Sequence, residues 1–351
     1  MTSKRNLRRL SAAGLLAVPI IMSGCGPFAG KQSEAIDPPP AQVEKQMLDH
    51  VNSSAAQGEI GMQTTVYLAD ARGMLAPVTL GIPKAEAGSE LKESLEVLVS
   101  GGRYTGYIPQ GFQGVLPAGT VINNVTVDTE NKMAVVEFNK AFTEYKPSDE
   151  RKILEALTWT LTGHEGVEQM QVWVEGTRLT EMPVNKTPLD RPLSRSMGIN
   201  LQKADDAVYS ASSPVTVYFS SVTPTGIQYY VPVTRLVPSG QDAVTAALNE
   251  LIRGPQYGDG LAEVIPDNTK VKSIEKGEDG SVTVSLEDGM FVEGDAVPVE
   301  LLQAVVLTVS ENAGDAKVKI HMNDLAEVIG EDSRNYSEPV SAPEFINEIS
   351  I

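Results

Sequence analysis

The sequence predicts an α+β chain made of two tandem copies of one small unit, β-β-α-β-β-α-β, each closed by a C-terminal extended arm. Three observations predict it. Segments return in order along the chain: TVYL (65–68) returns as TVYF (216–219), and AVVEFN (134–139) as VTVSLE (282–287). Self-similarity of this kind marks a duplicated structural unit. Within each copy the hydrophobic period switches between 2 and helical spacing in the same sequence of steps. Finally, a Pro-apolar-Ser step at 192–194 and again at 339–341 is followed at equal distance by Ile-Asn, at 199–200 and 346–347.

Thr64–Ala69 alternates and carries β-branched and aromatic residues, so it is a strand. Its partner lies near Val78–Ile82, clearer in the second copy as Ile227–Arg235. A helix follows, with Leu91, Leu95, Leu98 and Val99 on one face, Ser89 as N-cap and Gly101-Gly102 as the stop. In the second copy Val244, Leu248, Leu251 and Ile252 repeat the stripe, between a start at Gly240–Asp242 and an exit at Gly254-Pro255. LPAGTVINNV (116–125) and IPDNTKVKSI (265–274) open a hairpin in each copy, and Asp279-Gly280 makes the second turn. A second helix is expected over 149–162 and 298–311, then a last strand over 167–175 and 316–323. There the register holds without a gap, ILEALTWTLTGHEGVEQMQVWVE (153–175) lying over LLQAVVLTVSENAGDAKVKIHMN (301–323). Two helices on one face of a mixed, mostly antiparallel sheet are the two-layer solution for such a unit. The arms are expected to dock Ile199 and Ile346 in apolar slots at the edges of their own sheets, covering strands that would otherwise pair freely.

These repeats place the domains at 61–205 and 206–351, as separately folded homologues with Leu95 and Leu248 in equivalent core positions. Ahead of them, residues 25–60 are rich in Pro, Gly, Ser, Gln and charge and read as a flexible tether, with a reach of roughly 30 Å. Residues 1–24 read as a signal segment. Lys4, Arg5, Arg8 and Arg9 precede the apolar run SAAGLLAVPIIMSG, and Ser23-Gly24 leads directly into Cys25, the only cysteine of 351 residues. A lipoprotein signal needs such a thiol, which is acylated and becomes the new N-terminus. The alternative is an ordinary secretory signal followed by an incidental cysteine.

Charge and composition exclude several functions. The chain carries a formal charge of −18, and the first 24 residues hold four of its 28 basic residues and none of its 46 acids. A mature chain still more acidic than this has no nucleic-acid partner and no electrostatic hold on anionic lipid. With one cysteine no disulfide forms within the chain, so packed cores supply its stability.

Catalytic constellations are not found. His50 lies in the tether, His164 after a helix and His321 in a strand; His164 aligns with Asn312, and His321 with Trp173. No two sit at metal-ligand spacing, so neither a catalytic nor a metal site is expected, nor a cofactor. The acidic pairs Glu278-Asp279 and Glu287-Asp288 fall at a turn and a strand exit, where such residues are ordinary turn chemistry. Glycines between 101 and 119 form no phosphate-binding pattern. Trp159 opposite Leu307 and Phe138 opposite Leu286 read as core, while the alignment of Trp173 with His321 leaves its role open: exposed on an edge strand, it would be a contact residue.

The order TVYL, LKESLEVLVSGG, LPAGTVINNVTVD, AVVEFNKAF, ILEALTWTLTG, then a second copy with LNELIRGP and LAEVIPDNTKV, resembles the GerM family of sporulation and spore-germination lipoproteins. The arm SRSMGINL (194–201) looks like that family's inter-domain sequence. The resemblance implies two GerMN domains, each a variant of the ring-building motif. It further implies an extracytoplasmic, lipid-anchored protein that acts as a non-enzymatic scaffold or brace for the mother cell–forespore channel. Its partners would be membrane lipid, through acylated Cys25, and channel ring proteins. An alternative reading makes it an accessory of cell-wall or germination chemistry, a weak hydrolase or ligand-binding lipoprotein with peptidoglycan as partner. The long 103–119 loop, against YGDGLAEV in the second copy, departs from strict equivalence of the two copies.

Overall fold

Two long hairpins lie at the centre, and their composition explains why. In this computed structural model, which describes residues 60–349 apart from 85, 293 and 294, β1 (Ile60–Asp70) pairs antiparallel with β2 (Leu75–Pro83). The turn is built by Asp70, whose Oδ1 accepts from the backbone N–H of Arg72 and of Met74, both at 2.8 Å, with Gly73 at φ +84°. Val66, Tyr67, Leu68 and Ala69 are all buried, as are Leu75, Ala76 and Val78. Apolar residues on both faces of a strand predict cover on both faces.

Three layers result. Helices α1 (Glu90–Val97) and α2 (Glu150–Leu161) lie between that hairpin and a second sheet. The second sheet contains β4 (Ile122–Asp128), β5 (Met133–Phe138), β6 (Gln169–Val174) and β7 (Thr177–Arg178) in sequence order, with β5 and β6 parallel. β3 (Phe112–Gln113) pairs only with the end of β1. β5 and β6 alternate between buried and half-buried residues, so one face of this sheet carries the core. α2 is buried from Ile153 through Leu161, including Glu155, Thr158 and Thr160. A helix apolar nearly all round fits a place between two sheets better than a place on the surface.

The second copy repeats the plan. β8 (Gln202–Lys203) joins β10 (Gln228–Pro238), which pairs antiparallel with β9 (Ser212–Val222). α3 (Ala243–Arg253) and α4 (Val299–Asn312) separate that sheet from β11 (Lys270–Lys276), β12 (Val282–Glu287) and β13 (Val318–Met322). The expected α+β class and helix positions hold. Each copy differs in having two sheets rather than one, because the hairpin is claimed from outside by its counterpart. Equivalence is visible bond by bond. The Tyr67 N–H donates to Thr160 Oγ1 at 3.0 Å, and the Tyr218 N–H to Thr308 Oγ1 at 3.1 Å. Leu95 and Leu248 are both fully buried.

Helix α1 differs from expectation at both ends, and it stops at Val97 with Leu98 as C-cap, short of Gly101-Gly102. Ser89 precedes α1, but its Oγ donates to the Glu86 carbonyl instead of capping the helix. Asp242 does cap α3, accepting from the Thr245 N–H at 3.0 Å, and Gly254 ends it at φ +80°.

One contiguous core runs through both copies, joining Val66, Leu68 and Val78 to Val217, Phe219, Val231 and Ile199. The arms seal it. Each first pairs within its own copy, Leu193 with Met170 of β6 and Val340 with Val318 of β13. Each then crosses to the other copy, which corrects the expectation that it docks on its own sheet alone. Ile199 is fully buried against β10 of the second copy, while Ile346 is half-buried and Ile349 is the buried anchor of the second arm.

Candidate functional site: the seam between the copies

β2 and β10 present their free edges to each other, and two asparagines join them. Asn200 Nδ2 donates to the Leu75 carbonyl at 2.7 Å and to the Pro232 carbonyl at 2.8 Å, while its Oδ1 accepts from the Leu75 N–H at 2.9 Å. Asn347 Nδ2 donates to the Pro77 and Tyr230 carbonyls at 2.7 and 2.8 Å, and its Oδ1 accepts from the Tyr230 N–H at 2.8 Å. By the strand registers Leu75 corresponds to Tyr230 and Pro77 to Pro232, so the two stitches are related by a pseudo-twofold. Both prolines lie where the strand edge needs no N–H donor, the one place a strand tolerates them. The flanking threonines complete the pattern. The Thr234 N–H donates to the Ile199 carbonyl at 2.8 Å, and Thr79 donates to the Ile346 carbonyl through its N–H at 3.2 Å and its Oγ1 at 2.8 Å.

Beside this stitch lies a charged cluster. Arg195, on the first arm, stacks on Trp159 with its guanidinium carbon 4.5 Å from the ring centroid. Its Nε donates to Thr162 Oγ1 at 3.0 Å, and its Nη1 pairs with Glu311 Oε2 of the second copy at 2.7 Å. Burial works against the guanidinium charge, but its acidic surroundings, Glu311 foremost, outweigh it and keep the group protonated. Burial raises the Glu311 carboxyl above its ordinary range, and Arg195 limits the rise. Tyr67 and Tyr218, equivalent residues of TVYL and TVYF, meet here and are both buried. Burial pushes the Tyr67 phenol up to about 12, and that of Tyr218 well above its usual value, so both are neutral. The seam closes at its far side through Tyr229, whose hydroxyl donates to Asp70 at 2.8 Å, and through Arg72, which donates to Ser221 at 2.6 Å.

Sequence reasoning named Ile199 and Ile346 but missed Asn200, Asn347, Arg195 and Glu311 as a set. The register between the copies holds a signal, since it sets Arg195 opposite Ala342 and Glu311 opposite Gly163. The other residues singled out in the sequence are placed as follows. His164 Nε2 lies 3.1 Å from Ser94 Oγ, which is 2.7 Å from Thr64 Oγ1, and His321 is exposed on β13. Asp279 accepts from Ser281 within its turn, and Asp288 from the Thr269 and Asn268 side chains at the strand exit. Among the described residues no group of His, Cys, Asp and Glu could hold a metal ion, and no helix is long and apolar enough to cross a membrane. Cys25 and His50 lie outside the described residues. Trp159 and Phe138 are core, as expected. Trp173, left open by the sequence, is half-buried with its Nε1 enclosed, and β6 is not an edge because β7 pairs alongside.

A family model described as "Germane: Sporulation and spore germination" matches residues 65–180 and 216–326, once in each copy. The spore germination protein GerM of Bacillus subtilis (strain 168) is 34% identical over 358 aligned residues, covering 95% of this chain and 96% of that protein. The solved tandem GerMN domains of the sporulation protein GerM from Bacillus subtilis superpose with a TM-score of 0.75 at 35% identity, over 82% of this chain and 99% of that one. Two copies, each matched by the same family model, in the order and arrangement of a solved tandem pair, make this chain a member of the GerM family, with two GerMN domains.

Proposed function

We propose that the chain is a non-enzymatic scaffold, lipid-tethered through Cys25, that braces assembly of the channel between mother cell and forespore during sporulation. The observation that carries this reading is the seam. Both arms cross between the copies, and each places an asparagine across two strand edges, so the relative geometry of the domains is held by directional bonds as well as by apolar burial. A rigid pair of modules suits a part whose task is to hold other parts in place. A ring-building role for each GerMN domain, with channel ring proteins as neighbours, supplies the partners in this reading. Acylation of Cys25 supplies the anchor on the extracytoplasmic face of the cell membrane. In-cell crosslinking in sporulating cells, followed by purification of the full chain, tests it. Recovery of channel components supports the reading; recovery only of wall-remodelling proteins or peptidoglycan fragments overturns it.

A further inference from the structure

The pseudo-twofold that relates the two copies also relates the two sides of the seam, and the sides are not alike. On one side Arg195 fills its place: Trp159 beneath the guanidinium, Thr162 beside Nε, Glu311 as counter-ion. The register of the repeat carries these positions to Ala342, Leu307, Ser310 and Gly163 on the other side. An alanine stands where the arginine was. Those four residues line one pocket of about 320 Å³, and Tyr67 and Tyr218 line it too. Leu307, buried, contributes apolar surface to this pocket at the position where Trp159 underlies Arg195 on the other side.

We infer that this pocket binds an arginine side chain presented by a partner polypeptide, in the place that Arg195 takes on the opposite side. Its lining suits a guanidinium-bearing chain: apolar surface for the methylenes and acceptors for the fork. The acceptors are at hand. Ser310 stands in for Thr162, and the two neutral tyrosine hydroxyls offer lone pairs. Charge points the same way. Three carboxylates line the pocket, Glu311, Asp315 and Glu344, against one cation, Arg195, which is already committed to Glu311. Glu344 sits two residues beyond Ala342 on the second arm and supplies an acid on the side where Gly163 replaces Glu311. A planar fork of donors matches such a set better than a point charge does, which selects arginine over lysine. The pocket size falls within the roughly 300–1,000 Å³ usual for specific sites.

The inference does not depend on the identity of the channel, and its test is separate. The full chain, methyl-labelled, is titrated with N-acetyl-arginine amide, and the Leu307 and Ala342 methyl resonances are followed. Saturable shifts at both methyls are expected, with N-acetyl-citrulline amide binding at least about tenfold more weakly, since it keeps the shape and loses the charge. Ala342→Arg fills the pocket from within, so it should abolish the shift at Leu307 and leave thermal unfolding unchanged or raised. Glu344→Gln, at an exposed position with little bearing on the fold, should weaken the amide severalfold. Equal binding of citrulline, undiminished binding to Ala342→Arg, or the absence of saturable shifts would each overturn the proposal.

Discussion

Asn200 and Asn347 do the same thing from opposite arms: each side-chain amide donates to one carbonyl of β2 and one of β10, at 2.7 and 2.8 Å. The edges of the two hairpin sheets are thereby joined by side chains where backbone bonds would otherwise be missing. Edges left bare in the middle of a core would leave polar groups unpaired, and edges left bare at the surface would invite foreign strands.

Truncating either asparagine therefore strands two carbonyls and one N–H. Asn200→Ala and Asn347→Ala should each cost ~1–3 kcal/mol in chemical denaturation. Asn200→Asp should cost more than Asn200→Ala, because an acceptor then faces the carbonyls of Leu75 and Pro232. Asn200→Asp no worse than Asn200→Ala would show that the bridge contributes little.

Much of this was legible in the residues and some was not. The period switches located the four α-helices of the described residues, and Leu95 and Leu248 are both buried on their helices. Burial on both faces of β1 was written in the run Val66-Tyr67-Leu68, a continuous apolar stretch where a one-faced strand alternates as β5 does. The Ile-Asn repeat announced that the arms are fixed. It could not announce where, since the partner of Asn200 is chosen by tertiary contact between segments far apart in the chain. For the same reason Trp159 reads as core from its helical position, while its Nε1–H donating to the Gly198 carbonyl at 3.2 Å does not. Ser89 looked like a cap by residue type, and a nearer carbonyl at Glu86 took its hydroxyl.

The second copy holds a buried ion pair where the first holds apolar residues. Arg235 Nη1 lies 3.1 Å from Glu250 Oε2, both side chains almost fully enclosed, and Arg235 Nη2 has no hydrogen-bond partner. The registers place these two opposite Leu80 and Val97, both buried. Burial lowers the arginine's pKa despite Glu250, a sign of incomplete compensation. Glu250→Val alone should cost ~3–5 kcal/mol, since it leaves the guanidinium without its acid. Arg235→Leu should cost less, because Arg253 still pairs with Glu250 at 2.6 Å. The double variant copies the first domain and should match or exceed the parent in stability. A double variant as unstable as Glu250→Val would refute the comparison.

His164 gives the fold a pH dependence with a definite sign. Burial depresses its pKa below 6.5, with Glu90 opposing. The unfolded chain then binds the proton more readily than the folded one, so stability is full above the unfolded value and declines as pH falls through it toward the folded value. Its counterpart, Asn312, makes neutral bonds to the Thr216 N–H and carbonyl at 3.1 and 2.6 Å. His164→Asn should flatten the difference in melting temperature between pH 7.5 and pH 5.5 that the parent shows. An unchanged slope would place the dependence elsewhere.

The anchor can be tested by fractionation. Cys25→Ala should move the protein from membrane to soluble fraction, or leave the signal segment uncut. Membrane attachment with normal maturation in Cys25→Ala would mean that the thiol is incidental.

The last prediction concerns the halves. A shared core and crossed arms mean that chains 61–205 and 206–351 expose complementary surfaces when made apart, including Tyr67 against Tyr218 and the edge of β2 against that of β10. Each copy keeps its own helices between its own sheets, so each should still melt cooperatively, at a lower temperature than the intact pair. Mixed, they should form a one-to-one complex by sedimentation, because apolar burial and the two asparagine bridges act again without the covalent link. The complex should melt above either half, and Asn347→Asp in the second half should weaken it, since that residue's carboxylate would face the carbonyls of Pro77 and Tyr230. Leu95→Ala and Leu248→Ala, in equivalent cores away from the seam, should each cost their own half ~2–5 kcal/mol of stability. If the halves remain separate at any concentration that keeps them soluble, the seam is held by the linker and not by its bonds.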